Sequence, residues 1–538
     1  MALFLVYASH TYASKESELK GPMMEISIED FCQMYQEKPD DALASLKGLD
    51  NEQAAAILID AGGALSETSL LDDGISRLED LQQSESESSF RSYCIANGRH
   101  LRASTRRRLS SATDNDLLND LFMARVRHGK VLSDKQAGPE LRSQSATNFG
   151  NALLETGRWV EALDVYQKAR RIWPRNGVSA LREMQCLMGF HNAAQSDPAR
   201  YGTYSDLERL GQCIVELSSV VEDTYTEIGQ LAGEQAVEQA RHAVSQINTP
   251  GTIRKQHEKD SFFEFIESNS LALSLFCSSA QYENGKVDTA AFQHITDDDW
   301  QSTSVPEIFA MLNVMKADYA LARQLFYEAR FDDCTTIFRE TVKSGDTLDY
   351  SIYGVQVSAM CSAQRIAYDI LDKIAVSLSG HLKLGQAKRT TFDSFWYDDK
   401  NGKEKRLNEA VKQEINAGNQ GLLALYDLHR DTTKEVPEKA GFLRALKEYR
   451  NSSTHRFTVL HDENIGLGRT SRKLVDHEHV TQFEELTLSS IRLARAALFY
   501  FCDAINFAED RKPKSQNAIS LIHEVPDHDY IRGRDCTK

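Results

Sequence analysis

The segment from Ala146 to Pro174, ATNFGNALLETGRWVEALDVYQKARRIWP, is the part of the chain that most restricts its fold. Apolar residues recur at three- and four-residue steps on both sides of Gly157, which predicts two amphipathic helices joined by a tight turn. The small residues Gly150 and Ala162 stand where two such helices would approach closely, and Pro174 would end the second helix. The large residues predicted to fill the contact are Phe149, Leu153, Trp159 and Tyr166, with Ala169 beside them.

This pattern resembles the 34-residue tetratricopeptide (TPR) repeat, a pair of antiparallel helices. The clearest copy spans residues 143–176. A degenerate copy is expected at 315–342, with Leu321, Ala322 and Leu325 in its first helix and Phe331 after its turn. Because such arrays need several stacked hairpins for stability, we expect residues 24–342 to form an irregular TPR-like helical solenoid. A protein or peptide partner could bind its concave face, although no residue identifies that partner.

The composition agrees with an all-α chain. Only 10 prolines and 29 glycines occur in 538 residues, whereas a sandwich or barrel needs a turn about every 8–12 residues. The formal net charge is −17, which excludes a protein that coats nucleic acid through a broad cationic surface. It does not exclude a nuclease that binds RNA at one restricted site.

The beginning of the chain and its cysteines indicate a cytoplasmic protein. The apolar start MALFLVYA is too short for a membrane span, and no other segment resembles one, so we expect no membrane association. Residues 1–23 are predicted to be poorly ordered, with the natural start at Met1, Met23 or Met24. The nine cysteines are scattered without a C-x-x-C pair, which favours reduced thiols.

The region 345–510 is predicted to form a four- or five-helix bundle. Amphipathic helices are expected at about 349–379, 405–428, 437–460 and 477–508. The following residues, 511–538, are polar and are predicted to be a loose tail.

The third of these helices carries the residues most suited to chemistry, in the segment EYRNSSTHRF at 448–457. At 100° per residue, Asn451, Thr454 and His455 share one broad helical face with Arg450. A histidine can move the proton of an RNA 2′-hydroxyl, and a guanidinium can stabilise the negative charge that develops on the phosphate.

The segment resembles the HEPN family, whose motif is Arg-x(4–6)-His on a bundle helix. Three further segments are similar to that family: the Phe395–Trp396 pair, NQGLLALYDLHRD and LKEYRN. The resemblance implies a metal-independent endoribonuclease without a cofactor, which acts as a homodimer through the HEPN bundle and leaves a 2′,3′-cyclic phosphate. It further implies a toxin or an anti-phage defence effector.

Roles for the four candidate residues follow from this resemblance. Arg450 would bind the phosphate and the transition state, His455 would be the general base or acid, and Asn451 would orient them. Thr454 is added from its position on the helical face alone.

Alternative interpretations stay open. The bundle could be a catalytically silent dimerisation block in a TPR adaptor, since two further Arg-x4-His pairs, Arg456–His461 and Arg472–His477, show that the motif also occurs by chance. The arginines between Arg99 and Arg108 could contact RNA, although such runs are usually solvated.

A metal cluster or a nucleotide-transfer site at residues 461–479 is a minor further alternative. His477 and His479 would diverge on a helix, and the spacing matches no standard zinc pattern, so no metal site is predicted.

Overall fold

The structure is a computed structural model that describes residues 26–84, 88–108, 110–196, 207–247, 261–275, 287–292, 295–296, 306–331, 341–345, 347–384, 390–398, 406–433, 443–455, 457–462 and 475–513. The predicted all-α class is confirmed, with one small sheet added. Within the described ranges, no helix combines the length and the apolar character needed to cross a bilayer. The predicted disordered start at 1–23 and nearly all of the predicted tail lie outside these ranges.

Thirteen described helices make up the part of the chain before residue 300. They are α1 (Ile28–Glu37), α2 (Pro39–Ser45), α3 (Asn51–Leu65), α4 (Thr68–Ser84), α5 (Ser89–Arg107), α6 (Asn115–Ser133), α7 (Pro139–Glu155), α8 (Trp159–Ile172), α9 (Gly177–Ser196), α10 (Leu207–Asp223), α11 (Tyr225–Ala232), α12 (Glu234–Ser245) and α13 (Ser261–Ser268). From α3 to α10, each helix packs against the next one in the chain. This arrangement of neighbours is the one expected for a helical solenoid.

The later part of the chain combines six described helices with three short strands. They are α14 (Glu307–Phe331), β1 (Ser351–Ile352), α15 (Val355–His381), α16 (Glu409–Asn416), α17 (Gln420–Thr432), α18 (Arg444–His455), β2 (Phe457–His461), β3 (Val475–His479) and α19 (Val480–Asp510). Strand β2 pairs antiparallel with β1 and parallel with β3. Helix α19 packs against α15, α17 and α18, helix α18 also contacts α15 and α17, and α14 packs along α15.

The helical hairpin predicted around Gly157 is present as α7 and α8. Gly157 has a φ of +78°, the left-handed conformation that a glycine adopts without steric cost. At Gly150 a Cβ atom would lie 2.5 Å from the Tyr166 ring, so the absence of a side chain permits the close approach of the two helices. The Tyr166 hydroxyl donates a hydrogen bond to Oδ1 of Asn151 at 2.8 Å. The assignment of this hairpin as a TPR repeat stays a prediction.

The degenerate repeat expected at 315–342 does not have the predicted turn. Leu321, Ala322, Leu325 and Phe331 all lie in the uninterrupted helix α14. Residues 332–340, where a second helix was expected, lie outside the described ranges. The spacing of apolar residues in a long buried helix is the same as in a hairpin, and here no glycine marks a turn.

Several predicted helix boundaries also need correction. The helix expected to reach about residue 460 ends at His455 and is followed by strand β2, and the last helix begins at Val480 because 475–479 form β3. The helix expected from 349 begins at Val355, and the one expected at 405–428 is the pair α16 and α17. Between α16 and α17, Gly418 has a φ of +106°, which allows the chain to turn there.

One hydrophobic core runs through the bundle and into the preceding helices. It joins buried residues of α15, α17 and α19 to Leu117, Leu121 and Val160 of α6 and α8. Gly421 of α17 lies so close to α19 that a Cβ would be 2.4 Å from the backbone nitrogen of Ala504. The bundle is therefore seated directly on the helical hairpin.

Four buried charged side chains link these two parts of the chain, and we call them the buried ion cluster: Arg125, Arg158, Asp427 and Asp431. All four side chains are fully buried. The Arg125 guanidinium lies 2.7 Å from Asp427 and 3.1 Å from Asp431, and Arg158 pairs with both carboxylates as well. Thr156, in the turn between α7 and α8, donates a further hydrogen bond to Asp427 at 2.9 Å.

Candidate functional site

Helix α18 carries all four predicted site residues and is fixed to the bundle by its apolar face. Leu446 is buried, and the ring of Tyr449 meets that of Phe483 edge to face at 6.0 Å. The Gln364 amide on α15 donates a hydrogen bond to the Leu446 carbonyl at 3.1 Å. Arg450, four residues after Leu446, lies about 40° from it around the helix and is partly exposed at the edge of this face, whereas Asn451 is exposed.

Arg450 lies in a set of charges that we call the surface ion cluster: Arg450, Asp369 and Asp372. Its Nε donates to Asp369 Oδ1 at 3.0 Å, and its Nη2 lies 3.5 Å from Asp372 Oδ2. The Arg450 side chain is 25% exposed, and those of Asp369 and Asp372 are 47% and 38% exposed. A phosphate that reached this guanidinium would meet a charge already balanced by two carboxylates of α15.

Burial raises the pKa of Asp372, and so do the neighbouring charges of Asp369 and Asp393. A hydrogen bond from the backbone N–H of Phe392 at 2.8 Å and the charge of Arg450 act in the opposite direction. The side of α15 that faces Arg450 is therefore crowded with carboxyl groups. Asp393 is itself paired with Lys447 of α18 at 2.5 Å.

Of the other predicted site residues, the structure describes the side chain of Asn451 but not those of Thr454 and His455. Asn451 is exposed and accepts a hydrogen bond from Arg450 Nη1 at 3.2 Å. Thr454 and His455 lie in the last turn of α18, and their side chains are outside the described part of the structure. Arg450 and Asn451 are thus brought into contact, while the position of the imidazole stays a prediction.

The segment that contains His477 and His479 is a strand and not the predicted helix. His477 and His479 belong to strand β3, where residues two apart lie on the same side of the sheet. His461 of β2 is buried, and its Nε2 lies 2.8 Å from Nδ1 of His477. Asp349, which was expected inside a helix, precedes β1 and joins these two histidines in a group whose ligand atoms lie within 4.8 Å of one another.

The arginine run around residue 100 is engaged within the protein. Arg99 and Arg102 both pair with Asp120 of α6, and Arg107 pairs with the buried Glu155. A second contact ties Arg99 to Glu79 at 2.6 Å. The carboxylates of neighbouring helices thus neutralise much of this basic segment, which weakens the alternative that it contacts RNA.

Residues 300–508 match the family model described as LA2681-like HEPN. The match supports a HEPN domain that takes in α14 to α19 and the sheet, and it contains Arg450 and His455. HEPN domains are generally ribonucleases, so the match is consistent with a nuclease or defence role. No curated protein and no solved structure matches the chain.

Sequence reasoning missed both the partners of Arg450 and the buried ion cluster. Asp427 and Asp431 stand four residues apart in the NQGLLALYDLHRD segment, and a carboxylate pair at that spacing inside an apolar helix was an available signal. Their arginine partners are about 270 to 306 residues away in the chain, as the Arg158–Asp427 and Arg125–Asp431 bonds show. Such distant partners have no local signature.

Proposed function

We propose that this chain is a metal-independent endoribonuclease of HEPN type, with Arg450 and His455 as its catalytic residues. The observation that carries the proposal is that Arg450 and Asn451 lie at the surface of α18 within the range that matches the HEPN family. A toxin or anti-phage role, regulated through the helices before residue 300, belongs to the same proposal.

The chemistry needs a proton acceptor and a stabiliser of negative charge. The His455 imidazole takes the proton of a 2′-hydroxyl, whose oxygen attacks the adjacent phosphorus. The Arg450 guanidinium binds the phosphate oxygens as their negative charge increases. The bond from phosphorus to the 5′-oxygen breaks, that oxygen takes up a proton, and a 2′,3′-cyclic phosphate remains.

In a homodimer, Arg450 and His455 of both protomers would act together in one cleft. Each Arg450 shares its charge with Asp369 and Asp372 of its own protomer, which weakens its pull on a phosphate. A second Arg450 and His455 from the partner subunit would restore a positive balance in a composite cleft. Thr454 and Asn451 would line that cleft as polar neighbours.

The test is an RNA cleavage assay with the purified full chain in EDTA. We expect the wild type to cut a labelled single-stranded RNA, and His455→Ala and Arg450→Ala to lose at least 100-fold in rate, the order of a general acid–base contribution of about 10²–10⁴. Arg444→Ala is the matched control, because Arg444 lies on the same helix and pairs with Glu448, one turn away, at 2.5 Å. Undiminished cleavage by His455→Ala would remove the proposed site.

The surface ion cluster favours a second candidate, a TPR-type adaptor whose HEPN bundle only dimerises. In that case Arg450 holds α18 on α15 through Asp369, and no phosphate is involved. If the chain is an adaptor, the RNA substrate should stay intact and expression should cause no growth arrest. Arg450→Ala should then change the oligomeric state measured by light scattering. Growth arrest by the wild type but not by His455→Ala would decide for the nuclease.

A further inference from the structure

A buried histidine, His461, and a half-buried one, His477, lie beside a carboxylate at one end of the three-stranded sheet. His461 ends β2, and His477 lies in the neighbouring strand β3 opposite Val459. Residues 459 and 461 share one side of β2, so the two imidazoles lie diagonally on one face of the sheet. Their nearest ring nitrogens are 2.8 Å apart.

The hydrogen bonding of His461 sets which of its nitrogens carries the proton. Its Nδ1 lies 3.1 Å from the backbone carbonyl oxygen of Asp349, and a carbonyl oxygen can only accept a hydrogen bond. Nδ1 therefore holds the proton, and Nε2 presents a lone pair towards His477. A backbone carbonyl that orients a histidine in this way is the usual outer support of a metal-binding imidazole.

The third member of the group is held in place by its own neighbours. The Asp349 carboxylate accepts hydrogen bonds from the hydroxyls of Thr347 at 2.5 Å and Ser351 at 2.6 Å, both to Oδ1. Its ligand atom and those of His461 and His477 all lie within 4.8 Å of one another. The group thus draws one side chain from each of three separate segments of the chain.

We propose that Asp349, His461 and His477 form a binding site for a first-row divalent cation such as Zn²⁺, which fastens the segment before β1 to β2 and β3. Two imidazole nitrogens and one carboxylate oxygen are ligands that zinc accepts, whereas Mg²⁺ and Ca²⁺ prefer oxygen ligands throughout. At a Zn–N distance of about 2.0–2.1 Å, two nitrogens of a tetrahedral site stand roughly 3.3 Å apart, a small movement from the observed 2.8 Å. The fourth position is left for water or another ligand.

The role of this cation is separate from RNA cleavage. It links the segment before β1 to β2 and β3 through their side chains, and cation binding to the folded form alone stabilises that form. The strand β2 begins two residues after His455, so the site also anchors the chain directly beyond the catalytic helix α18. Cleavage in EDTA and cation binding are independent measurements, and either can fail without the other.

To test this, the full chain is first treated with a chelator, which is then removed. Zn²⁺ binding is measured by calorimetric titration and by competition with a zinc-sensitive dye. The wild type is expected to bind one equivalent, and Mg²⁺ at the same concentration none. His461→Ala, His477→Ala and Asp349→Asn are expected to bind at least about a hundredfold more weakly, since even changes in outer-shell groups cost about 10–100-fold. Asp349→Asn keeps the shape of the side chain, and circular dichroism checks that each variant is folded.

His479→Ala is the matched control. His479 lies in the same strand, opposite His461 in the β2–β3 register, and is outside the three-residue group. It should bind Zn²⁺ as the wild type does, and Zn²⁺ should raise the Tm of both proteins but not that of His461→Ala. The absence of a bound equivalent in the wild type would assign the histidines to a simple hydrogen bond and overturn the proposal, as would an equal loss of binding in His479→Ala.

Discussion

The buried ion cluster and the surface ion cluster are both made of arginine and aspartate, but they differ in their access to water. The buried ion cluster lies between α6, the α7–α8 turn and α17, with all four side chains fully enclosed. The surface ion cluster lies between α15 and α18, with side chains that are 25% to 47% exposed. Water screens the second cluster and leaves its arginine able to exchange partners, whereas in the first cluster each charge depends on the others.

The two aspartates of the buried ion cluster respond differently to the same surroundings. Burial acts to raise the pKa of Asp427, but Arg125 and Arg158 outweigh it and the pKa is lowered. For Asp431 burial dominates, and the pKa is raised. The guanidinium groups of Arg125 and Arg158 therefore favour a negative charge on this pair of carboxylates, against the effect of burial.

The largest expected effect is the removal of a charge from the buried ion cluster. We expect Asp427→Ala to lower the free energy of unfolding by roughly 3–5 kcal/mol, because it leaves the buried Arg125 with Asp431, a carboxylate that it must share with Arg158. Arg158 keeps a second partner in Glu161 at 2.6 Å. The measurement is urea unfolding followed by circular dichroism, with Asp369→Ala as the control from the surface ion cluster. Equal stability of these two variants would contradict the distinction between the clusters.

A buried carboxylate without such cations should respond to pH instead. Burial raises the pKa of Asp60, within α3, to about 7. Since the folded form then binds a proton more tightly than the unfolded form, stability should fall as pH rises from about 4 to about 7, by up to about 4 kcal/mol.

Asp60→Asn should remove this slope and be the more stable protein at pH 8. Unfolding midpoints measured at pH 5 and pH 8 for both proteins test the sign. The same pH dependence in Asp60→Asn as in the wild type would show that another group causes it.

A smaller effect on stability is expected at the turn between α7 and α8, which contains Gly157 and Arg158. Gly157 has a φ of +78°, and a Cβ there would lie 2.8 Å from the carbonyl oxygen of Gln420 on α17. Gly157→Ala should therefore cost about 1–3 kcal/mol of stability.

Gly129→Ala is the matched control for that turn variant. Gly129 lies inside α6 with open space around its Cα, so alanine should be neutral or stabilise by up to about 1 kcal/mol. A Gly157→Ala protein with the Tm of the wild type would show that the turn does not hold α8 against α17.

The smallest effect on stability belongs to the surface ion cluster. Asp369→Asn should change the free energy of unfolding by less than about 1 kcal/mol, as for other exposed ion pairs. If Arg450 meets phosphate, the same change should tighten RNA binding, because a competing carboxylate charge is removed. Fluorescence anisotropy in a His455→Ala background, which prevents cleavage, measures this, and unchanged affinity would favour the adaptor.

The helical class and the hairpin at Gly157 could be read from the sequence because their signals are local. Apolar spacing, the glycine turn and the small residues at Gly150 and Ala162 lie within 30 residues of one another. The sheet could not be read in this way. Its strand β2 pairs with β1 more than 100 residues earlier, and its apolar residues also fit a helix, so α18 was expected to continue to about 460.

The candidate site was predictable only in part for the same reason. That Arg450 lies on a helix follows from the spacing of the buried Leu446 and the partly buried Tyr449. Its partners Asp369 and Asp372 are about 80 residues distant and have no local signal. His477 and His479 were expected to diverge because a helix was predicted there, whereas in strand β3 they lie on the same side of the sheet.

The origin of the charges in the buried ion cluster has a consequence for how such chains can be recombined. The guanidinium groups come from one half of the polypeptide and the carboxylates from the other. An excised bundle would expose two anions on the face that the earlier helices cover, and the excised earlier helices would expose two cations. Replacing either region with that of a relative would preserve the fold only if the opposite charges of the other region are also present. The two regions are therefore expected to be inherited together.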